Sequence, residues 1–166
     1  VLPGVGSFGD AMENLHHFGL VPVIHQVVQE QTPFLGICLG LQLLFEKSEE
    51  SPGVEGLGIL KGEILRIPAA EGLKIPHMGW NNIRFPNKGR LFAGVPEDAY
   101  VYFVHSYYLK AQDEKIVTAT TEYGTHIHAS VESGNLFACQ FHPEKSSHVG
   151  LQILKNFAKL EGKGGR

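Results

Sequence analysis

The segment PFLGICLGLQLLFEKSEE, Pro33 to Glu50, constrains the chain more than any other. Pro33 to Ile37 is a short continuous apolar run, the pattern of a strand buried on both faces. From Leu39 the apolar positions Leu39, Leu43, Leu44 and Phe45 follow helical spacing, and Glu46 to Gly53 is a polar, proline-punctuated exit. Cys38 therefore sits at a strand-to-helix junction, between Gly36 and Gly40. This has the form of a nucleophile elbow with Cys in place of Ser. On so sharp a turn, side chains two residues either side of the nucleophile would collide, so glycine fits there. The helix start is expected to lower the thiol pKa and to aim an amide at a developing oxyanion. The competing reading of Cys38 is a small buried hydrophobe, and the elbow alone leaves both open.

The rest of the first half is also α/β in pattern. After the glycine-rich PGVGSFGD, Asp10 to Phe18 carries Met12, Leu15 and Phe18 at helical spacing, closed by Gly19. A second helix is expected from about Val21 to Gln31. The chain then changes character. GILKGEILRIP, KIPHMGWNNIRF, YVYFVHSYYLK, KIVTATTEYG and THIHASVESGNLFACQF read as strands between turn residues. Ser147 to Leu160 is an amphipathic helix, and Gly162 to Arg166 reads as a frayed tail. One mixed sheet with helices on its faces and antiparallel strands added is the expected architecture. With no repeats and no low-complexity linker, residues 1–166 are expected to form a single domain.

Composition narrows the function. A net charge of -3 and a pI near 6.3, with no basic run, argue against a nucleic-acid partner. No apolar run approaches the roughly twenty residues of a membrane span, and no leader pattern is seen, so the cytoplasm is the expected location. Two cysteines outside any CxxC pair fit a reduced compartment. The opening Val1-Leu2-Pro3-Gly4 reads as a strand end entering a turn, so an upstream segment is expected to be missing.

The second chemical element is Phe141-His142-Pro143-Glu144, directly after the apolar LFACQF. If Pro143 keeps the backbone extended, Glu144 shares a face with His142 and can orient its imidazole, leaving the other ring nitrogen for a thiol. His105 competes for the role of base but has no carboxylate two residues away. His16, His17, His25 and His148 read as ordinary surface or core groups. His126 and His128 have a spacing that could bind a metal through one strand face, but no third ligand is near in sequence. Cys139, with apolar neighbours and no flanking glycines, reads as an inert buried thiol with a raised pKa.

GICLGLQ followed by FHPEKS resembles the class I, triad-type glutamine amidotransferases, which implies a flavodoxin-like mixed sheet. PGVGSFGDAM, IPHMGWN, YFVHSYY and FHPEKSS are similar, more narrowly, to the glutaminase subunit of imidazole glycerol phosphate synthase in histidine biosynthesis. Members normally carry a strand, a helix and further strands before the PGVG loop. The resemblance implies Cys38 as nucleophile, His142 as general base and acid, and Glu144 as the orienting acid. It implies an oxyanion hole from Leu39 with Val5 and Gly6, and a glutamine-binding shell of Gln42, Glu50, His105, Ser106 and Tyr107. It further implies L-glutamine as substrate and a (β/α)8-barrel cyclase subunit as partner, for which Trp80, Asn81 and Lys145 are candidate contacts, an ordinary core aromatic being the alternative for Trp80; no cofactor or metal is expected. Two rivals are a truncated module that docks without hydrolysing glutamine, and a thiol hydrolase of another substrate class.

Overall fold

A computed structural model describes residues 1–162. The expected tail thus lies mostly outside the described residues. Helix α1, Phe8–His17, starts ahead of Asp10 because Ser7 caps it, its hydroxyl accepting the Asp10 amide at 3.2 Å. Phe8, Met12 and Leu15 form its buried row. Helix α2, Leu20–Gln29, follows a left-handed Gly19 and ends just short of the expected Gln31. Then come β1 (Phe34–Ile37), α3 (Leu39–Leu43), β2 (Lys47–Ser48), β3 (Gly62–Arg66) and β4 (His77–Asn82). Strands β5 (Tyr100–His105), β6 (Tyr107–Ala111), β7 (Val117–Glu122), β8 (His126–Ser133) and β9 (Leu136–Cys139) precede α4 (Ser147–Ala158).

A seven-stranded mixed sheet runs β1-β9-β8-β6-β3-β2, with β7 also paired to β8. Both of its faces are covered, which is why β1 and β9 are apolar at every position. Phe34, Leu136 and Ala138 join the core under α1 and α2, whereas Leu35, Ile37, Phe137 and Cys139 join the core under α4 around Ile153. The α/β fold class stands as expected.

The sequence reading is corrected at YVYFVHSYYLK, which is two strands in two sheets. β5 pairs with β4 in a separate antiparallel ribbon, while β6 pairs with β3 in the main sheet. Val101, Phe103 and His105 are buried on odd positions, but Tyr108 and Leu109 are buried consecutively. The two-residue alternation therefore breaks around Ser106, where the chain changes sheets.

Parallel pairing of β1 with β9 is what positions the site. It aligns Ile37 with Cys139 and brings the carboxyl ends of both strands to one edge, the Cys38 amide donating to the Cys139 carbonyl at 2.8 Å. Residues just past these ends, Cys38 and His142, so meet at the edge where open α/β sheets bind ligands.

Candidate active site

Cys38 has φ 56 and ψ -109, a conformation that non-glycine residues seldom adopt. Both flanking glycines have steric causes. A Cβ on Gly36 would lie 2.8 Å from the Gly40 carbonyl oxygen, and one on Gly40 would lie 1.9 Å from the Leu2 carbonyl oxygen. The second collision is thus with a neighbouring strand-like segment: Leu2 bridges Gly36 in parallel, its amide bonding to the Leu35 carbonyl at 2.8 Å.

A cavity of about 360 Å³ opens over the elbow. It is lined by Gly4, Val5, Gly6, Cys38, Leu39, Gln42, Glu50, Pro76, Val104, His105, Ser106, Tyr107 and His142. All the residues expected for nucleophile, base, oxyanion hole and substrate shell lie on it, and Glu144 stands behind His142.

His142 is buried and held from both sides. Its amide donates to the Tyr102 carbonyl at 2.9 Å, and its carbonyl accepts from the Ser146 hydroxyl at 2.6 Å. Its Nδ1 lies 2.6 Å from Glu144 Oε1, so Nδ1 carries a proton and donates to the carboxylate. Nε2 is buried without a hydrogen-bond partner. The route to this pairing differs from the expected one. Pro143–Lys145 is a 3-10 turn, and Glu144 reaches the ring by curling back within it, not by extended geometry.

The expected lowering of the Cys38 thiol pKa is also overturned. Burial pushes the thiol from 9.0 up to about 11, outweighing the Leu39 amide that favours the thiolate; the Glu144 carboxylate raises it further. Helix α3 is only five residues long, too short to offset that burial. Gln140 Nε2 lies 3.6 Å from Cys38 Sγ, and the Val104 carbonyl lies 3.9 Å from it. Cys139 is fully buried and its thiol is likewise raised, by burial first.

Within the shell, Gln42 Nε2 donates to the Tyr107 carbonyl at 3.1 Å and to Gln140 Oε1 at 3.0 Å, which leaves Oε1 of Gln42 for a ligand. Glu50 Oε2 accepts the Phe8 amide at 3.1 Å, so this carboxylate ties α1 to the cavity wall. His105 Nδ1 donates to the Tyr107 carbonyl at 2.8 Å, and its Nε2 then accepts from His77 Nδ1 at 2.9 Å. Burial holds both rings near a pKa of 4, so both are neutral at ordinary pH. Val5 is 85% exposed, and Gly6 has φ 98 with open space around it.

Outside the cavity, Trp80 is 52% exposed on the ribbon, edge-on to Tyr102, and not the core aromatic that was its alternative. Asn81 bonds the Glu122 carbonyl at 3.0 Å and His77 Nε2 at 3.3 Å. Lys145 is exposed on the 3-10 turn beside His142. His126 and His128 meet edge to face at 5.7 Å but differ in burial and partners: His126 pairs with Glu122 at the surface, while buried His128 accepts the Ala111 amide at 3.0 Å. Among the described residues no group of three or more His, Cys, Asp or Glu could hold a metal ion, and no helix is long and apolar enough to cross a membrane.

Sequence reasoning missed Gln140 and His77, both in direct contact with expected site residues. A fully polar amide inside the apolar LFACQF run was the available signal for Gln140.

Residues 1–160 match the family model "Glutamine amidotransferase class-I". The chain is 57% identical over 160 residues to the imidazole glycerol phosphate synthase subunit HisH of Moorella thermoacetica, covering 96% of this chain and 75% of that one. The chain belongs to the class I glutamine amidotransferases, in the HisH family. HisH subunits of Aquifex aeolicus and Bacillus subtilis are 52% and 50% identical to this amidotransferase, each over 96% of it and 76% and 77% of their own lengths. A crystal structure of a glutamine amidotransferase shares the fold at a TM-score of 0.66 and 20% identity, over 94% of this chain and 77% of that one. Another, from Thermotoga maritima, has a TM-score of 0.61 at 18% identity, over 94% of this chain and 60% of that one.

Proposed function

We propose that this amidotransferase is the glutaminase subunit of imidazole glycerol phosphate synthase, acting as one domain that hydrolyses L-glutamine and hands ammonia to its synthase partner. The observation that carries the chemistry is His142. Its Nδ1 is held by Glu144 at 2.6 Å, while its Nε2 is buried, unpartnered and on the cavity that Cys38 lines. Such a nitrogen is a free proton acceptor, and the thiol on the elbow is the nucleophile proposed to give it a proton.

In the proposed reaction, the Cys38 proton passes to His142 Nε2 as sulfur bonds to the glutamine amide carbon. The Glu144 carboxylate favours the imidazolium so formed. His142 then gives the proton to the departing nitrogen, which leaves as ammonia with a thioester behind. Water attacks that thioester as its proton moves to Nε2, the C–S bond breaks, and glutamate and the thiol are restored. Both tetrahedral stages place negative charge on oxygen. The Leu39 amide is proposed as one donor to it and the exposed Val5–Gly6 segment, with Gly6 at positive φ and open space around it, as the other. Glu50, Gln42 Oε1, Ser106 and Tyr107 are proposed to hold the amino-acid end, and His105 to fix Tyr107.

The partner is proposed to be a (β/α)8-barrel cyclase that docks over Trp80, Asn81 and Lys145. Half-exposed Trp80 on a two-stranded ribbon is the kind of aromatic that anchors an interface. The test measures ammonia release from glutamine by the chain alone and with the cyclase subunit, against Cys38→Ala. Slow release alone, a rise on adding the cyclase, and none from Cys38→Ala are expected. Release no greater than that of Cys38→Ala in every arm would leave only docking.

A further inference from the structure

We propose that Gln140 is a further catalytic residue, whose side-chain N–H donates to Cys38 Sγ and holds the thiolate during attack and departure. This rests on Cys38 being the nucleophile.

Gln140 is fully buried between β9 and His142, where a side-chain amide must find partners for both ends. Its orientation follows from an atom that admits one role only. The Tyr107 carbonyl can only accept, so the group of Gln42 that lies 3.1 Å from it is the NH2. The same NH2 lies 3.0 Å from Gln140, so that end of Gln140 is the oxygen. What remains, 3.6 Å from Cys38 Sγ, is the Gln140 NH2. Turning either amide over would set oxygen against oxygen or nitrogen against nitrogen. The donor is therefore built facing the sulfur before any charge appears there.

The groups that act on this sulfur are few. The Leu39 amide favours a negative charge, Glu144 opposes it, Lys145 favours it, the Val104 carbonyl lies 3.9 Å from the sulfur, and His142 and His105 line the same cavity. Gln140 differs in being a neutral side-chain donor on the sulfur, beside the backbone amide of Leu39, whereas the Val104 carbonyl can only accept from the thiol. When the Cys38 proton has gone to His142 Nε2, sulfur carries the electron pair and the Gln140 bond becomes charge-assisted, roughly twice as strong as its neutral form. In the thioester the sulfur is neutral and the bond weakens. It strengthens again as the C–S bond breaks and the thiolate leaves, before the proton returns from His142. Gln140 thereby stays with the sulfur throughout, while the Leu39 amide, which favours the resting thiolate, is the proposed donor to the carbonyl oxygen once that oxygen gains charge.

The experiment uses the full chain with its synthase partner and compares Gln140→Glu and Gln140→Met with wild type. Gln140→Glu keeps an oxygen for Gln42 but has no donor for sulfur; Gln140→Met has neither. Alkylation of Cys38 by iodoacetamide is followed against pH, with Cys38→Ala as background. Both variants should react about ten- to a hundredfold more slowly below the thiol midpoint, the size expected for losing a hydrogen bond to a charged group. Their kcat should fall by a similar factor while KM for glutamine moves less than about twofold. Alkylation profiles that superimpose on wild type would overturn the proposal. If the variants fail to fold, the Gln140 side-chain amide resonance of the unmutated protein decides: it should move with the Cys38 titration, and an unmoved resonance removes the role. Failure of the underlying reading looks different, since wild type itself would then neither release ammonia nor lose any activity in Cys38→Ala.

Discussion

His142 donates its Nδ1–H to Glu144 Oε1 across 2.6 Å, and that one bond leaves its buried Nε2 as the open acceptor on the cavity. Glu144→Gln keeps an oxygen for Nδ1 but removes the charge that stabilises the imidazolium. Glutamine hydrolysis should fall roughly ten- to a hundredfold, the range for a hydrogen bond to a charged group at a half-exposed carboxylate. Steady-state kinetics with the cyclase present measures it, and unchanged kcat would remove Glu144 from the mechanism.

The thiol makes a pH prediction with a fixed sign. Cys38 sits near 9.0 when unfolded and about 11 when folded, so between these values the unfolded chain has lost a proton that the folded one keeps. The stability contributed by the buried thiol is full below about 9 and declines as pH rises towards 11. Urea midpoints across that window should fall less steeply for Cys38→Ala than for wild type. Equal slopes would contradict the burial.

His77 and His105 behave oppositely. Both are held from 6.5 down to about 4, so in acid the unfolded chain binds protons that the folded one refuses. Their contribution is present above about 6.5 and is lost as pH falls towards 4. A His77→Gln variant should lose less stability than wild type between neutral pH and pH 5. Parallel denaturation curves would exclude the pair as the acid-sensitive element.

Two glycines should respond differently to alanine. Gly40→Ala drives a Cβ to 1.9 Å from the Leu2 carbonyl oxygen, so backbone must shift at the elbow, and about 1–3 kcal/mol of stability should go with most of the activity. Gly6→Ala meets no atom but must hold φ 98, which costs about 1–2 kcal/mol and biases the loop proposed to carry the second oxyanion donor. Its kcat should fall, while its thermal midpoint drops no further than that of Gly40→Ala.

Trp80→Ala separates interface from core. With half its surface exposed, Trp80 should contribute only part of a buried aromatic's worth to the isolated fold, about 1–2 kcal/mol. Affinity for the cyclase, by calorimetry, should drop at least about tenfold if it is an anchor. A variant that melts early yet binds normally would reverse that assignment.

Local pattern carried much of this protein. The all-apolar Pro33–Ile37, the glycines around Cys38 and the His142-Pro143-Glu144 triplet are short-range signals, and each led to the element or contact it implied. The strand break at Ser106 was less legible, because period-two alternation says which face is buried but not which sheet receives the strand.

What the sequence determined by itself was the α/β class and the choice of residues proposed as the reacting groups, since both depend on residue type and near-neighbour spacing. Tertiary structure decided the rest. Leu2 set the need for glycine at position 40, a 3-10 turn brought Glu144 to its ring, and burial reversed the expected direction of the Cys38 pKa. The donor facing that sulfur, Gln140, was fixed by Gln42 and a carbonyl at Tyr107. Desolvation and hydrogen-bond polarity belong to atoms far apart in the chain, and they exist only once the sheet has brought those atoms together.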